Sequence, residues 1–195
     1  MTTRAVFGLD AGSSGLREAD HLIQEQRDLL GLPDGTIGCT HFVRSSRPHV
    51  ATSFRLPPGF SPERWWERLA ELALLGIGVS WATHRIGPAE LSAGATEASA
   101  ELANRLGGRA VVYPGVNRLV GEVTIGSMLE DSAIDRVVVL AGHAEPASSD
   151  MVRTRDHVRP EWRDGLLTLI ATPTSNGVFV PFEVPNPTPC CADHE

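Results

Sequence analysis

The sequence predicts an α+β fold. Short runs of β-branched and aromatic residues alternate with segments whose apolar residues recur every three to four positions, the pattern of a helix with one buried face. The 195 residues are 42% hydrophobic and 21% charged, a composition typical of a globular protein. We therefore expect one domain over residues 1–195, or two intimately packed lobes that cover residues 1–86 and 87–195.

The first half has the element order strand, helix, strand, strand, helix, strand. Gly31 can end the first helix, and Ser61 followed by Pro62 marks the start of the second. The predicted elements are strands at residues 5–9, 36–43, 49–56 and 77–85, a helix before Gly31 and a helix between Ser61 and Gly76. This order, with its two central strands antiparallel, is the ferredoxin-like βαββαβ arrangement.

The second half predicts a mainly antiparallel α+β lobe that packs on the first. It begins with a helix whose small apolar residues form one stripe, and strands dominate after it. The predicted elements are a helix at residues 88–106, strands at 109–113, 119–125 and 135–140, an irregular polar segment at 142–165, and a hairpin of 166–172 with 178–184.

The charged residues exclude several classes of function. All 17 basic residues are arginine, a bias typical of GC-rich bacterial genomes, and the chain has no lysine for a P-loop or a Schiff base. The net charge of -7 argues against extended binding of nucleic acid, although a short oligonucleotide or a nucleotide needs only a few arginines. No cofactor is predicted.

The sequence also gives an expectation for the compartment. No apolar run approaches the length of a membrane span, and the first residues, MTTRAVFGLD, lack the apolar core of a signal peptide. Cys39, Cys190 and Cys191 are too few for a secreted disulfide framework. We expect a cytoplasmic protein with reduced thiols.

The layout of the chain resembles a known superfamily. The segments AVFGLDAGSSGLREA, RPHVATSFRLPPGFSPERWWERL, IDRVVVLAG and VFVPFEVP follow the order found in two-histidine phosphoesterases, including LigT-like RNA 2′,3′-cyclic phosphodiesterases. The resemblance implies two α+β lobes, each with a His-x-Thr/Ser motif on a central strand. In that chemistry one imidazole takes a proton from water, the other protonates the leaving oxygen, and hydroxyls bind the phosphate.

Carried over to this sequence, the first motif falls on His49 and the second on Glu122. The first has Ala51 where the family has a hydroxyl residue, and the second has glutamate where the family has histidine. A carboxylate can serve as a general base, so the resemblance implies a catalytic pair of His49 and Glu122. The implied function is hydrolysis of a small phosphodiester or a nucleotide end.

The resemblance also implies residues that bind the phosphate. Thr124 keeps the hydroxyl of the second motif, while Thr52 and Arg47 lie beside the first. These three side chains are the expected substrate ligands. The alternative without a function is that His49 is a half-buried strand histidine satisfied by a backbone carbonyl, and that His41 and His84 are structural or exposed.

Two further functions fit the residues. The first is a non-catalytic binding or assembly protein on the same scaffold, which would use the helix face of Trp65 and Trp66 or an exposed sheet edge, and would allow a homo-oligomer. The second is a metal-dependent enzyme that uses Cys190, Cys191 and His194, although adjacent cysteines make a poor chelate.

Overall fold

The first half of the chain forms the predicted ferredoxin-like unit. The protein is seen in a computed structural model that describes residues 5–140 and 145–185. The unit consists of β1 (Val6–Ser13), α1 (Leu16–Leu30), β2 (Ile37–Val43), β3 (His49–Arg55), α2 (Trp66–Leu74) and β4 (Gly78–Trp81). Its strands lie in the order β4-β1-β3-β2 with every neighbouring pair antiparallel, which confirms the βαββαβ prediction.

Local signals set the ends of these helices. Gly31 ends α1 in the left-handed conformation, with φ of 59°, and its N–H donates to the last carbonyls of the helix. Ser61 precedes a short 3-10 helix, Pro62–Trp65, that leads into α2; its hydroxyl donates to the Glu63 carboxylate at 2.6 Å and does not cap a helix N–H. The predicted strand at 77–85 is interrupted at Ala82, where φ is 51°, and turns back as β5 (His84–Ile86).

The second half extends the same sheet. Its elements are α3 (Ala89–Asn104), β6 (Arg109–Val112), β7 (Glu122–Thr124), α4 (Ile125–Asp131), β8 (Arg136–Val139), β9 (Met151–Arg153), β10 (Glu161–Arg163), β11 (Leu166–Pro173) and β12 (Phe179–Pro181). The strand path is β5-β4-β1-β3-β2-β6-β10-β11-β12-β9-β7, and β8 pairs in parallel with β11. The α+β class with a mostly antiparallel sheet is confirmed.

Two predictions of local structure in this half were wrong. The predicted strand at 119–125 contains only β7, because the hydroxyl of Thr124 accepts the N–H of Ser127 at 3.1 Å and caps α4. The predicted irregular segment at 142–165 contains β9 and β10, which are strands of three residues each. Such short strands carry too few residues for a visible alternation.

Helices cover both faces of the ferredoxin-like unit. On one face, α1 and α2 bury Phe7, Leu9 and Phe54. On the other face, α3 lies directly on β1, since a Cβ at Gly8 would come within 1.9 Å of the Ala95 carbonyl oxygen. Glycine at this position therefore allows the close approach of helix and strand. No helix within the described ranges has both the length and the apolar character that crossing a membrane requires.

Candidate functional site

His49 lies at the start of β3, and both of its ring nitrogens have partners. Nδ1 lies 2.7 Å from the Arg47 carbonyl oxygen, and Nε2 lies 2.8 Å from Oδ2 of Asp10. A carbonyl oxygen can only accept, so Nδ1 carries a proton and donates it to Arg47. The other carboxylate oxygen of Asp10 accepts the N–H of Gly12 at 2.8 Å. His49 thus has no ring nitrogen left for a substrate in this arrangement.

The His49–Asp10 pair is buried, and the pKa values of both groups are raised. Burial opposes the charged imidazolium, but the hydrogen bonds to Arg47 and Asp10 outweigh it, so the pKa of His49 is raised. Burial also raises the pKa of the Asp10 carboxyl, and the hydrogen bonds from His49 and Gly12 offset this only in part. Both directions favour a proton between Nε2 and Oδ2.

Helix α3 encloses this pair. A Cβ at Gly94 would lie 2.1 Å from Oδ2 of Asp10 and 3.3 Å from Nε2 of His49. The glycine therefore lets the helix backbone close over the two side chains. The pair ties β1 to β3 beneath the helix, which matches the alternative without a function for His49.

Two of the predicted phosphate ligands also have structural partners. Thr52 is buried on the opposite face of β3, where its hydroxyl lies 3.1 Å from the Leu9 carbonyl oxygen and 2.7 Å from Oε1 of Gln26. Arg47 is exposed before β3 and contributes its backbone carbonyl to His49. The structure places Thr52 and His49 on opposite faces of the sheet.

Glu122 and Thr124 lie on β7, whereas His49 lies on β3. Glu122 is on β7 and forms an exposed ion pair with Arg153 at 2.7 Å, and Thr124 caps the helix that follows. In the strand path β3 is fourth and β7 is eleventh, so seven strand steps separate them. Within the described ranges, His49 and Glu122 have no hydrogen-bond or ion-pair partner in common.

A second histidine forms a chain that the sequence did not predict. His41, on β2, lies between Ser53 and Glu101: Nε2 is 2.7 Å from the Ser53 hydroxyl, and Nδ1 is 2.8 Å from a carboxylate oxygen of Glu101. This is the order of nucleophile, base and acid in a serine hydrolase. Ser53 is fully buried, however, so no substrate carbonyl can reach its hydroxyl.

Arg109 forms the most extensive ion-pair cluster in the described structure. Nε and Nη2 donate to the two carboxylate oxygens of Glu183, while Nη1 and Nη2 donate to those of Asp20. The fifth N–H, on Nη1, points to the Thr40 hydroxyl at 3.3 Å. All five donors of the guanidinium are therefore used. The cluster joins α1, β2, β6 and the segment after β12.

An open hollow of about 740 Å³ lies beside this cluster. Its lining includes Phe42 on β2, Leu106 after α3 and Phe182 after β12. These side chains are 64%, 74% and 63% exposed, so three large apolar groups face solvent in one place. A second hollow of about 820 Å³ adjoins it and shares Phe42 and Glu183. Pockets of this size accommodate small organic ligands.

The two tryptophans of the alternative helix surface differ in burial. Trp65 is buried, and its Nε1 donates to the Leu30 carbonyl at 2.7 Å. Trp66 is half-buried against Trp81 and His84, with ring centroids 5.8 and 5.1 Å away. These aromatic rings contact one another at the β5 edge of the sheet.

The comparisons and the metal alternative add no assignment. Comparisons with protein-family models, with curated proteins and with solved structures give no match for this chain. In the ranges 5–140 and 145–185, no group of three His, Cys, Asp or Glu side chains is placed to hold a metal ion. Cys190, Cys191 and His194 lie outside the described residues.

Proposed function

We propose that this chain is a binding protein whose ligand site is the hollow beside Arg109. The observation that carries the proposal is the exposure of Phe42, Leu106 and Phe182 around a single hollow. Large apolar side chains that face solvent together mark sites where a ligand or partner binds, because covering them removes apolar surface from water. The hollow lies between three separate parts of the chain.

The contacts of the histidine at this hollow favour binding over catalysis. His41 lines the hollow, but both its nitrogens bind protein groups, Ser53 on one side and Glu101 on the other. A general base must be able to reach the proton that it abstracts. A ligand in the hollow therefore meets a shaped surface in which this histidine has a fixed structural role.

The hydrogen bonds between Arg109 and Glu183, which line the hollow, also favour binding. Arg109 and Glu183 both line it, and their hydrogen bonds fix the position of the segment that carries Phe182. A site that is already formed loses less conformational entropy when a ligand binds. The Arg109 cluster thus gives the apolar rim a fixed geometry.

A fluorescent apolar probe tests the proposed function. We expect the neutral dye N-pentyl dansyl amide to bind with increased fluorescence, and Phe42→Ser to weaken binding about threefold or more, because roughly 1 kcal/mol of apolar burial is lost. Leu74→Ser, an exposed leucine on α2, is the matched control and should leave binding unchanged. No binding, or equal binding to all three proteins, would refute the proposal.

The phosphodiester hydrolase implied by the resemblance stays a prediction with its own test. If the protein is such a hydrolase, it should turn over a 2′,3′-cyclic nucleotide, and His49→Ala should abolish this turnover while the protein remains folded. Turnover that depends on His49 would require the Asp10–His49 pair to open, because both ring nitrogens are engaged. The absence of turnover across a panel of cyclic nucleotides would remove this function.

A further inference from the structure

The charges around the hollow are unequal. Glu97 and Glu101 lie four residues apart on α3, so their side chains share one face of the helix, and both line the hollow. The hydrogen bond from His41 lowers the pKa of Glu101, which keeps this carboxylate ionised. Glu97 is exposed and has no ion pair or hydrogen bond with any residue in the described part of the chain.

The arginines that line the hollow are mostly neutralised by their own partners. Arg109 binds two carboxylates, and Arg163 binds Glu161 at 2.9 Å. Arg44 is exposed and has no ion pair within the described ranges, so it balances only one of Glu97 and Glu101. Beside the exposed aromatic rings, two carboxylates therefore face one arginine that has no carboxylate partner within the described ranges.

We propose that the ligand of this hollow is a small organic cation with an apolar body. The proposal rests on the proposed function, since it specifies the ligand class of the same site. The amine or guanidinium of such a ligand lies near Glu97 and Glu101, and its apolar body covers Phe42 and Phe182. The faces of aromatic rings also attract cations, which adds to the attraction of the carboxylates.

An anionic ligand fits the hollow less well. Binding a phosphate or carboxylate usually requires an arginine with donors to spare. The guanidinium of Arg109 has all five in use and Arg163 binds Glu161, so among the arginines that line the hollow this leaves Arg44, which shares the hollow with two carboxylates. The neighbouring Glu97 and Glu101 would repel the anion. The geometry therefore points to the cation, and an anion of the same shape makes a matched comparison.

Three dansyl sulfonamides with the same five-carbon arm test the charge preference. Dansylcadaverine ends in an ammonium, N-pentyl dansyl amide is neutral, and N-dansyl-6-aminohexanoate ends in a carboxylate. We expect the cation to bind about three- to tenfold tighter than the neutral compound, because this is the effect of the attraction between two unit charges several ångströms apart in a partly aqueous site. We expect the anion to bind more weakly than the neutral compound.

Substitutions of glutamate test whether the preference for the cation arises from α3. Glu97→Gln should reduce the cation-to-neutral ratio by about two- to fivefold, and 300 mM salt should reduce it in the wild type. Glu71→Gln, an exposed glutamate on α2, is the matched control and should leave the ratio unchanged.

The outcomes separate this inference from the proposed function. Equal binding of the three dyes, tighter binding of the anion, or a ratio unaffected by Glu97→Gln overturns the cation preference while the binding site at Phe42 stands. If none of the dyes binds, or if Phe42→Ser weakens none of them, the proposed function itself fails.

Discussion

Replacing Arg109 by leucine should destabilise the protein strongly, because it removes the centre of an ion-pair cluster. The substitution leaves Asp20 and Glu183 without the guanidinium that binds both of them. Arg159 still contacts Asp20 at 3.1 Å, and His157 still contacts Glu183 at 3.0 Å. The protein therefore loses less stability than it would if both carboxylates were left with no partner.

The magnitude follows from burial. Removing one partner from a buried ion pair costs about 3–5 kcal/mol. The side chains of Asp20 and Glu183 are 16% and 31% exposed, so water and the remaining partners reduce this to about 2–4 kcal/mol. At about 2–4 °C per kcal/mol for a chain of this size, the melting temperature should fall by about 4–16 °C.

Urea unfolding at two pH values checks both the size and the cause of the loss. Burial raises the pKa of Asp20 and Glu183, but the hydrogen bonds and charge of Arg109 outweigh it, so both pKa values lie below their usual range. Their stabilisation is present above pH about 4–5 and disappears as pH falls through the lowered values. The difference between wild type and Arg109→Leu should therefore be larger at pH 7 than at pH 3.

Arg118→Leu is the matched control. Arg118 forms an exposed pair with Asp131 at 3.0 Å, which should contribute no more than about 1 kcal/mol. If Arg109→Leu is as stable as Arg118→Leu, or if its loss is the same at both pH values, the account of the cluster is refuted.

Four other substitutions test the packing of the ferredoxin-like unit. His49→Gln should cost about 1–3 kcal/mol at pH 6, because it weakens the contact with Asp10. The pKa of His49 is raised, so this contribution is present below pH about 6.5 and fades as pH rises through the raised value. A urea midpoint difference that stays constant from pH 6 to 9 would contradict it. Gly94→Ala should reduce the free energy of unfolding by about 1–3 kcal/mol and so lower the melting temperature, because the new Cβ would lie 2.1 Å from Oδ2 of Asp10. An unchanged melting curve would show that α3 can shift. Trp65→Ala should cost about 3–5 kcal/mol and Trp66→Ala less, since only Trp65 is buried, and denaturant unfolding that gives the reverse order would disprove this.

The first half of the fold could be predicted because its signals are local. Gly31 ends α1 through a left-handed conformation, and β2 and β3 are neighbours in sequence with clear β-formers. In the second half, residues 122–131 form a three-residue strand and a seven-residue helix joined at a cap. Neither element is long enough for its apolar period to dominate the pattern.

The site could be predicted only where strand parity decides it. His41 on β2 pairs with Ala51 on β3, and paired residues have their side chains on the same face of the sheet. Ser53 lies two residues after Ala51 and so shares that face with His41. Glu101 completes that chain from a helix 60 residues away. Arg109 meets Asp20 and Glu183 across 89 and 74 residues, a separation at which residue spacing carries no information about contact.

Mapping amide chemical shifts with N-pentyl dansyl amide tests the location of the ligand site most directly. We expect saturable shifts in residues 40–44, 106–109 and 182–183, which surround the hollow. Shifts that instead cluster around His49, around Glu122, or around Trp66 and Trp81 would contradict the proposed site.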